Sequence, residues 1–172
     1  MVAKVARLLV EGSIREKEKV TELKFKKWLD SNKIPYWYIQ QDVDTYSNAL
    51  KRFMTKRPDF IILIPHVGFI LTDVEYKNPL EKHEAFPIDY EETKQYINSQ
   101  KYFNLQVWYV LSSEKYSFNT WFWIPAAKAL EKGEKYLSPK SNTEYLSVPI
   151  SEFIQMAKSD NLGRLLSEIC KY

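Results

Sequence analysis

Three charged side chains occupy alternate positions at the end of an apolar segment, in the stretch GFILTDVEYKNP. They are Asp73, Glu75 and Lys77. In a strand, alternate side chains share one face and lie about 6.6–6.8 Å apart along the chain. Carboxylate oxygens favour a hard cation such as Mg²⁺ or Mn²⁺, and a nearby ammonium group can stabilise charge on a phosphate. The spacing therefore indicates either a metal-assisted hydrolytic site or a plain ion pair between Glu75 and Lys77.

A further carboxylate, Asp59, opens the preceding apolar segment, PDFIILIP. A hairpin with its turn centred on Val67 would place Asp59 directly opposite Glu75, with their Cβ atoms about 4.5–5.5 Å apart. Two carboxylates at that separation repel unless they share a proton or a cation. A turn centred half a residue earlier would place Asp59 opposite Val74, on the other face of the sheet. The metal hypothesis therefore requires a particular register.

The segments before the hairpin predict the elements that position it. Ser13 and Glu16 form a capping-box pair, which predicts a helix that runs to about Asp30. The aromatic segment YWYIQQD predicts a short strand that ends near Asp42. Residues 44–57 then predict a turn and a basic helix.

The segments after the hairpin predict a second helix and more strands. Asp89 is a typical N-cap for the helical segment DYEETKQYINSQKYF. LQVWYVLSSE and FNTWFWIP predict two further strands. From about Ala126 the sequence predicts a helix, a polar loop and a C-terminal helix from Ser151, with a break at Gly163.

This order of elements predicts an α/β fold with a central mixed sheet flanked by helices on both faces. The chain has 172 residues, of which 45% are apolar, enough for one substantial core. We therefore expect a single domain, 1–172, with a core at about 13–125 and a C-terminal helical extension at 126–172.

The pair Pro58-Asp59, followed on the next strand by Glu75-Tyr76-Lys77, resembles the motif of the PD-(D/E)xK nucleases, the restriction-endonuclease-like superfamily. The resemblance covers roughly residues 13–125 as an order of elements. It implies that Asp59 and Glu75 bind a divalent metal and that Lys77 is catalytic. It also implies a Mg²⁺-dependent nuclease, with Mn²⁺ as the other suitable ion.

Two helical residues extend the resemblance. Many members contribute a helix glutamate to the site, which would be Glu22 here, although Glu18 lies one turn earlier and could serve equally. Gln95 is similar to the glutamine or lysine that some branches place over the metal. The RecB-like branch has a tyrosine four residues after its glutamine, whereas this chain has Ser99.

The net charge of +3 does not by itself identify a nucleic-acid partner. Four local basic residues would suit a phosphate backbone, or they form a solvated helix face: Lys51, Arg52, Lys56 and Arg57. Together with the resemblance, they favour a nuclease acting on DNA. One alternative is a non-catalytic nucleic-acid-binding or structural protein on the same fold. A third hypothesis is a scaffold of the same class whose charges merely pair.

The remaining features concern location and assembly. The single cysteine, Cys170, excludes an intramolecular disulfide framework and fits a cytoplasmic protein. The first apolar stretch is interrupted by Lys4 and Arg7, which argues against a signal peptide or a membrane span. A homodimer would suit cleavage of two strands, although no interface signal is visible.

Overall fold

The structure is a computed structural model that describes residues 2–41, 46–81, 84–139 and 141–171. Its helices and strands, in chain order, are α1 (Val2–Ser31), β1 (Tyr36–Tyr38), α2 (Asn48–Arg52), β2 (Phe60–Ile64), β3 (Gly68–Tyr76), β4 (Ala85–Asp89), α3 (Tyr90–Phe103), β5 (Val107–Ser112), β6 (Thr120–Pro125), α4 (Ala126–Lys132), β7 (Glu134–Leu137), β8 (Glu144–Pro149), β9 (Ile154–Ala157) and α5 (Leu166–Ile169).

A six-stranded sheet in the order β1-β2-β3-β5-β6-β9 forms the centre of the fold. The pair β3 and β5 is parallel, and the other neighbouring pairs are antiparallel. The predicted α/β fold with a central mixed sheet is therefore confirmed. β3, which carries the charged residues, is an internal strand, as its apolar beginning predicted. Charged side chains that are buried at its end therefore need ion pairs or hydrogen bonds.

Helix α1 covers one face of this sheet. Thr21, Phe25, Trp28 and Leu29 are buried and follow the spacing of a helical stripe. The Phe25 ring packs edge-on against Phe60 of β2, with the ring centroids 5.3 Å apart. This packing fixes α1 against the sheet and brings its glutamates towards the charged end of β3.

Helices α3 and α4 and a second, three-stranded sheet in the order β4-β8-β7 cover the opposite face. This side has its own core, with Tyr96 of α3 and Tyr109 of β5 fully buried. Asp89 caps α3, because its carboxylate accepts a hydrogen bond from the Glu92 N–H at 2.8 Å. The predicted cap is confirmed, and it determines where the first turn of α3 meets the sheet.

Two predicted helix boundaries are wrong. The capping-box pair Ser13 and Glu16 lies inside α1, which begins at Val2, because the preceding residues also favour helix. The basic helix predicted at 44–57 is only the short α2, which Ser47 caps. It ends at Arg52, because Phe53 is its C-cap and Met54 takes a left-handed backbone conformation (φ 50°) that cannot continue the helix. The predicted end of the first strand at Asp42 lies outside the described residues.

The C-terminal helical extension predicted at 126–172 is also wrong. Among the described residues of this range, only the short helices α4 and α5 are helical, apart from 3₁₀ turns, one of which contains Gly163. β8 pairs with β4 and β7, while β9 pairs with β6 and completes the large sheet beyond the predicted core. Ser151, the predicted helix start, belongs to a 3₁₀ turn. The edge of β6 offers unpaired backbone N–H and C=O groups. Pairing with them stabilises β9 more than the weak helical preference of its residues stabilises a helix.

The hairpin has a different register from the predicted one. Ile64 pairs with Gly68, so the turn is centred on His66 rather than on Val67. Positive φ angles at His66 (66°) and Gly68 (124°) permit this three-residue loop. Continuing the ladder places Asp59 opposite Asp73 instead of Glu75. The partner changes by two residues, so Asp59 keeps the face that the metal hypothesis required.

Candidate active site

A cleft of about 220 Å³ opens at the end of β3, between α1 and the start of α3. Its ionisable lining residues are Glu18, Glu22, Lys56, Arg57, Asp59, Asp73, Glu75, Lys77 and Glu92. They come from α1, from the segment before β2, from β3 and from α3. Residues distant in the sequence therefore meet at one end of the central sheet.

Three carboxylates of the cleft converge most closely. Asp73, Glu75 and Glu92 each offer an oxygen, and these oxygens all lie within 4.8 Å of one another. Asp73 and Glu75 share a face of β3 because they alternate along the strand. Glu92 reaches them from the first turn of α3, which packs on that same face. We call Asp73, Glu75 and Glu92 the carboxylate triad.

The triad has oxygen atoms that hydrogen bonds do not satisfy. Asp73 is 4% exposed, and its Oδ1 accepts a hydrogen bond from the Tyr96 hydroxyl. Its Oδ2 accepts none within the described part of the chain, and the Lys56 ammonium lies 3.8 Å from it. A buried carboxylate oxygen left in this way is costly unless a cation binds to it. Hard oxygen donors at this spacing fit Mg²⁺ or Mn²⁺.

Asp59 lies beside the triad, and protein donors already contact both of its oxygens. Its Oδ2 accepts the Val74 N–H at 2.8 Å, and its Oδ1 accepts the Gln41 side-chain amide at 3.1 Å. These bonds hold the carboxylate at the margin of the cleft, 7% exposed. The structure therefore brings Asp59 and Glu75 into one cleft, while Asp73 and Glu92 are the closer neighbours of Glu75.

Two lysine ammonium groups balance part of the negative charge. Lys77 Nζ lies 2.9 Å from Glu75 Oε2, and its backbone N–H donates to the Ser112 carbonyl at 3.1 Å. Lys56 Nζ forms an ion pair with Glu92 Oε1. The predicted neighbourhood of Glu75 and Lys77 is therefore present. Lys56, which was predicted to contact phosphate, instead faces the carboxylates.

Burial and the crowding of charges shift the pKa values of the carboxylates in the cleft. Burial raises the pKa of Glu92 to about 9, and the nearby charges of Glu75 and Asp73 add to this effect. Burial also opposes ionisation of Glu75, but Lys77 and Lys56 outweigh it and lower the pKa of Glu75 to about 2. Burial, with Glu22 nearby, raises the pKa of Asp59 to about 7. The metal-free cleft thus retains protons that a bound divalent cation would displace.

The other predicted site residues lie in different places. Glu22 lines the cleft and accepts a hydrogen bond from the Tyr38 hydroxyl at 2.7 Å, and burial raises its pKa. Arg57 also lines the cleft, and its Nε donates to Gln41 Oε1 at 2.8 Å. Gln95 is half-buried on α3, outside the described lining of the cleft. Lys51 and Arg52 are exposed on α2, also away from that lining.

The reasoning from sequence missed Glu92, and it placed Asp73 among the charged residues at the strand end without counting it among the expected metal ligands, Asp59 and Glu75. The signal for Asp73 was its position two residues before Glu75 on one strand face. The signal for Glu92 was its spacing from Tyr96, four residues later, which is the spacing sought from Gln95. Tyr96 donates its hydroxyl to Asp73 and so connects α3 with β3.

Comparisons with known proteins add information on the fold alone. A scan against protein-family models finds no match, and a search of curated proteins finds no significant match. Among solved structures, the chain is similar to Hjc from Archaeoglobus fulgidus, a Holliday junction resolvase from an archaeal hyperthermophile. Identity is 11% and the TM-score is 0.48, over 75% of this chain and 87% of that one. A likeness of this size carries no functional information, so the chemistry must be inferred from the side chains of the cleft.

A search for membrane segments among the described residues gives a negative result. None of the helices there combines the length and the apolar character that crossing a bilayer requires.

Proposed function

We propose that this chain is a metal-dependent nuclease that hydrolyses phosphodiester bonds, with DNA as its preferred substrate. The observation that supports it is the convergence of the carboxylate triad within 4.8 Å, with the Lys77 ammonium 2.9 Å from Glu75. Oxygen ligands from a strand and a helix next to a lysine form an arrangement suited to a divalent ion and a phosphate.

The charge balance of the cleft favours a cation. Among the described residues, six acidic and three basic side chains line it, which gives a net charge of −3 when all are ionised. In that fully ionised state the cleft would repel a phosphodiester, because like charges at short range raise the free energy of binding. A bound divalent cation would remove most of this repulsion, so metal and phosphate binding belong together in the proposal.

Each group of the cleft has a role in the proposed reaction. The carboxylate triad would hold Mg²⁺ or Mn²⁺, with Asp59 as a further ligand. When bound, the ion would supply an activated water and neutralise charge on the scissile phosphate. Lys77, held by Glu75, would place a positive charge beside the phosphate oxygens. Glu22 would lie at the rim of the site.

The proposal also covers substrate, location and assembly. Arg57 at the cleft, together with Lys51 and Arg52 on α2, would contact the DNA backbone. The gap between α2 and the cleft would then be spanned by the substrate. We further propose a cytoplasmic protein that forms a homodimer where two strands are cut.

The direct test is a cleavage assay on single-stranded, duplex and branched DNA and on RNA, with Mg²⁺, Mn²⁺ or EDTA. We expect cleavage only with a divalent ion, and most cleavage on DNA. The alternative, a non-catalytic binding protein, would retain its affinity for nucleic acid in EDTA and would cut nothing in any ion. Absence of cleavage on every substrate with both ions would contradict the proposed function.

Two adjacent glutamates on α3 provide a matched pair for the metal site. Glu92 belongs to the triad, whereas Glu91 is exposed and pairs with Lys94 at 3.0 Å. Glu92→Gln is expected to reduce cleavage about 100-fold and to weaken Mn²⁺ binding measured by calorimetry, because a ligand oxygen loses its charge. Glu91→Gln should behave as the wild type. Equal effects of the two variants would show that the triad does not hold the ion.

The Tyr96 hydroxyl gives a second prediction, because it orients Asp73. Tyr96→Phe removes the donor to Asp73 Oδ1 while the ring stays in the core, so Mn²⁺ affinity is expected to fall about 10- to 100-fold. Tyr102→Phe is the control, since Tyr102 lies on the same helix and is 51% exposed. Calorimetric titration with Mn²⁺ measures the effect. An unchanged affinity in Tyr96→Phe would mean that Asp73 needs no such support.

A further inference from the structure

Lys56 occupies an unusual position for a lysine in a basic stretch. Its side chain turns into the cleft, where Nζ pairs with Glu92 Oε1 and lies 3.8 Å from Asp73 Oδ2. The ammonium also lies over the Tyr96 ring, 5.0 Å from its centroid. These contacts place one positive charge against two of the three triad carboxylates.

The fold holds the backbone of Lys56 in place. Its N–H donates to Ser99 Oγ at 3.2 Å, and Ser99 Oγ donates to the Lys56 carbonyl at 3.0 Å. Ser99 is fully buried on α3, and Thr55, which precedes Lys56 in the sequence, is 6% exposed. These contacts anchor the backbone of Lys56 to α3, so that its side chain, which is 33% exposed, extends into the cleft from a fixed point.

The two lysines of the cleft contact different members of the carboxylate triad. Lys77 pairs with Glu75, and Lys56 faces Asp73 and Glu92. Asp73 Oδ2, the buried oxygen without a hydrogen bond in the described chain, is the oxygen that the Lys56 ammonium approaches. The ammonium therefore lies where a cation between Asp73 and Glu92 would lie.

We propose that Lys56 is a resident counter-ion that competes with the divalent ion for Asp73 and Glu92. This inference rests on the proposed metal site and adds a residue that sets its affinity. In the metal-free protein the ammonium offsets the repulsion within the triad. For a divalent ion to bind, the Lys56 ammonium must withdraw from both carboxylates. The free energy of breaking these contacts reduces the affinity for the metal.

The test uses the full chain and Mn²⁺ alone, without nucleic acid. Lys56→Gln should bind Mn²⁺ about tenfold more tightly or better by calorimetry, because a positive charge within about 4 Å of the ligands is removed. Lys56→Arg, which keeps the charge, should bind as the wild type does. Lys101→Gln makes the same charge change at an exposed site on α3 and should also leave the affinity unchanged.

Thermal denaturation supplies a second measurement. Without metal, Lys56→Gln should unfold at a lower temperature than the wild type, because the triad has lost its counter-ion. With saturating Mn²⁺ the difference should shrink or reverse. A structural lysine that merely orients the carboxylates would give the opposite sign in the binding experiment, namely weaker Mn²⁺ binding in Lys56→Gln.

The outcomes separate this inference from the proposed function. Mn²⁺ binding by the wild type with equal or weaker binding by Lys56→Gln overturns the role of Lys56 alone. An absence of Mn²⁺ binding in every variant overturns both this role and the metal site. Binding by Lys56→Gln but not by the wild type supports the competition in its strongest form.

Discussion

Glu75→Gln is expected to reduce metal-dependent DNA cleavage by about 10³-fold or more. Glu75 is central to the site, since it shares a strand face with Asp73, lies beside Glu92 and pairs with Lys77 at 2.9 Å. The substitution keeps the shape of the side chain and removes its charge. It would therefore weaken metal binding and remove the ion-pair partner of the Lys77 ammonium. Because both effects lower the cleavage rate, the total loss should exceed that from removing a single contact.

Three measurements separate loss of chemistry from loss of structure. Cleavage rates are compared at saturating Mg²⁺, Mn²⁺ affinity is measured by calorimetry, and folding is followed by circular dichroism during heating. Glu134→Gln is the control, because Glu134 is an exposed glutamate on β7 whose carboxylate accepts a hydrogen bond from Tyr136. A Glu75→Gln protein that is folded and still cleaves at the wild-type rate would contradict the assigned site.

Phe25→Ala is expected to destabilise the protein by about 3–5 kcal/mol. Phe25 is fully buried in the C-terminal third of α1 and contacts aromatic rings on the sheet, including Phe60 and Trp121 at centroid distances of 5.3 and 5.0 Å. Replacing it by alanine leaves a cavity between helix and sheet that rigid neighbouring rings cannot fill. The helix that carries Glu18 and Glu22 to the cleft would lose its main anchor.

Chemical denaturation with urea measures this effect as a change in the free energy of unfolding. The midpoint of thermal unfolding should also fall, by roughly 6–20 °C for a domain of this size. Val20→Ala is the matched control on the same helix, because Val20 is 43% exposed and its truncation should change the free energy of unfolding by less than about 0.5 kcal/mol. Similar losses in the two variants would mean that α1 does not form the contact described.

The long-range pairing of strands explains most errors of prediction from sequence. The His66-centred turn depends on a positive φ angle at His66, a conformation that is uncommon for residues other than glycine and that local sequence did not predict here. The strands β8 and β9 form because existing sheet edges offer backbone partners. Such pairing energies come from contacts far apart in the chain and leave little trace in local periodicity.

Some residues of the site could likewise be predicted from local sequence, and others could not. Alternation along β3 was sufficient to predict that Asp73, Glu75 and Lys77 share a face, because the two-residue period of a strand is local geometry. The Asp89 cap was predictable for the same reason, since a cap needs only the residues next to it. The short distances from Lys56 and Glu92 to Asp73 could not be predicted, because they depend on how α3 packs over the sheet.

The mixed α/β class, the internal position of β3 and the face on which its charges lie could all be predicted from the residues. These features follow from apolar periodicity, which acts over a few residues and is visible in any stretch of chain. The identity of the carboxylates that meet, of the lysine that faces them and of the strand that completes the sheet depends on long-range packing. Those choices depend on register and helix packing, where small shifts change every contact while the local pattern stays the same.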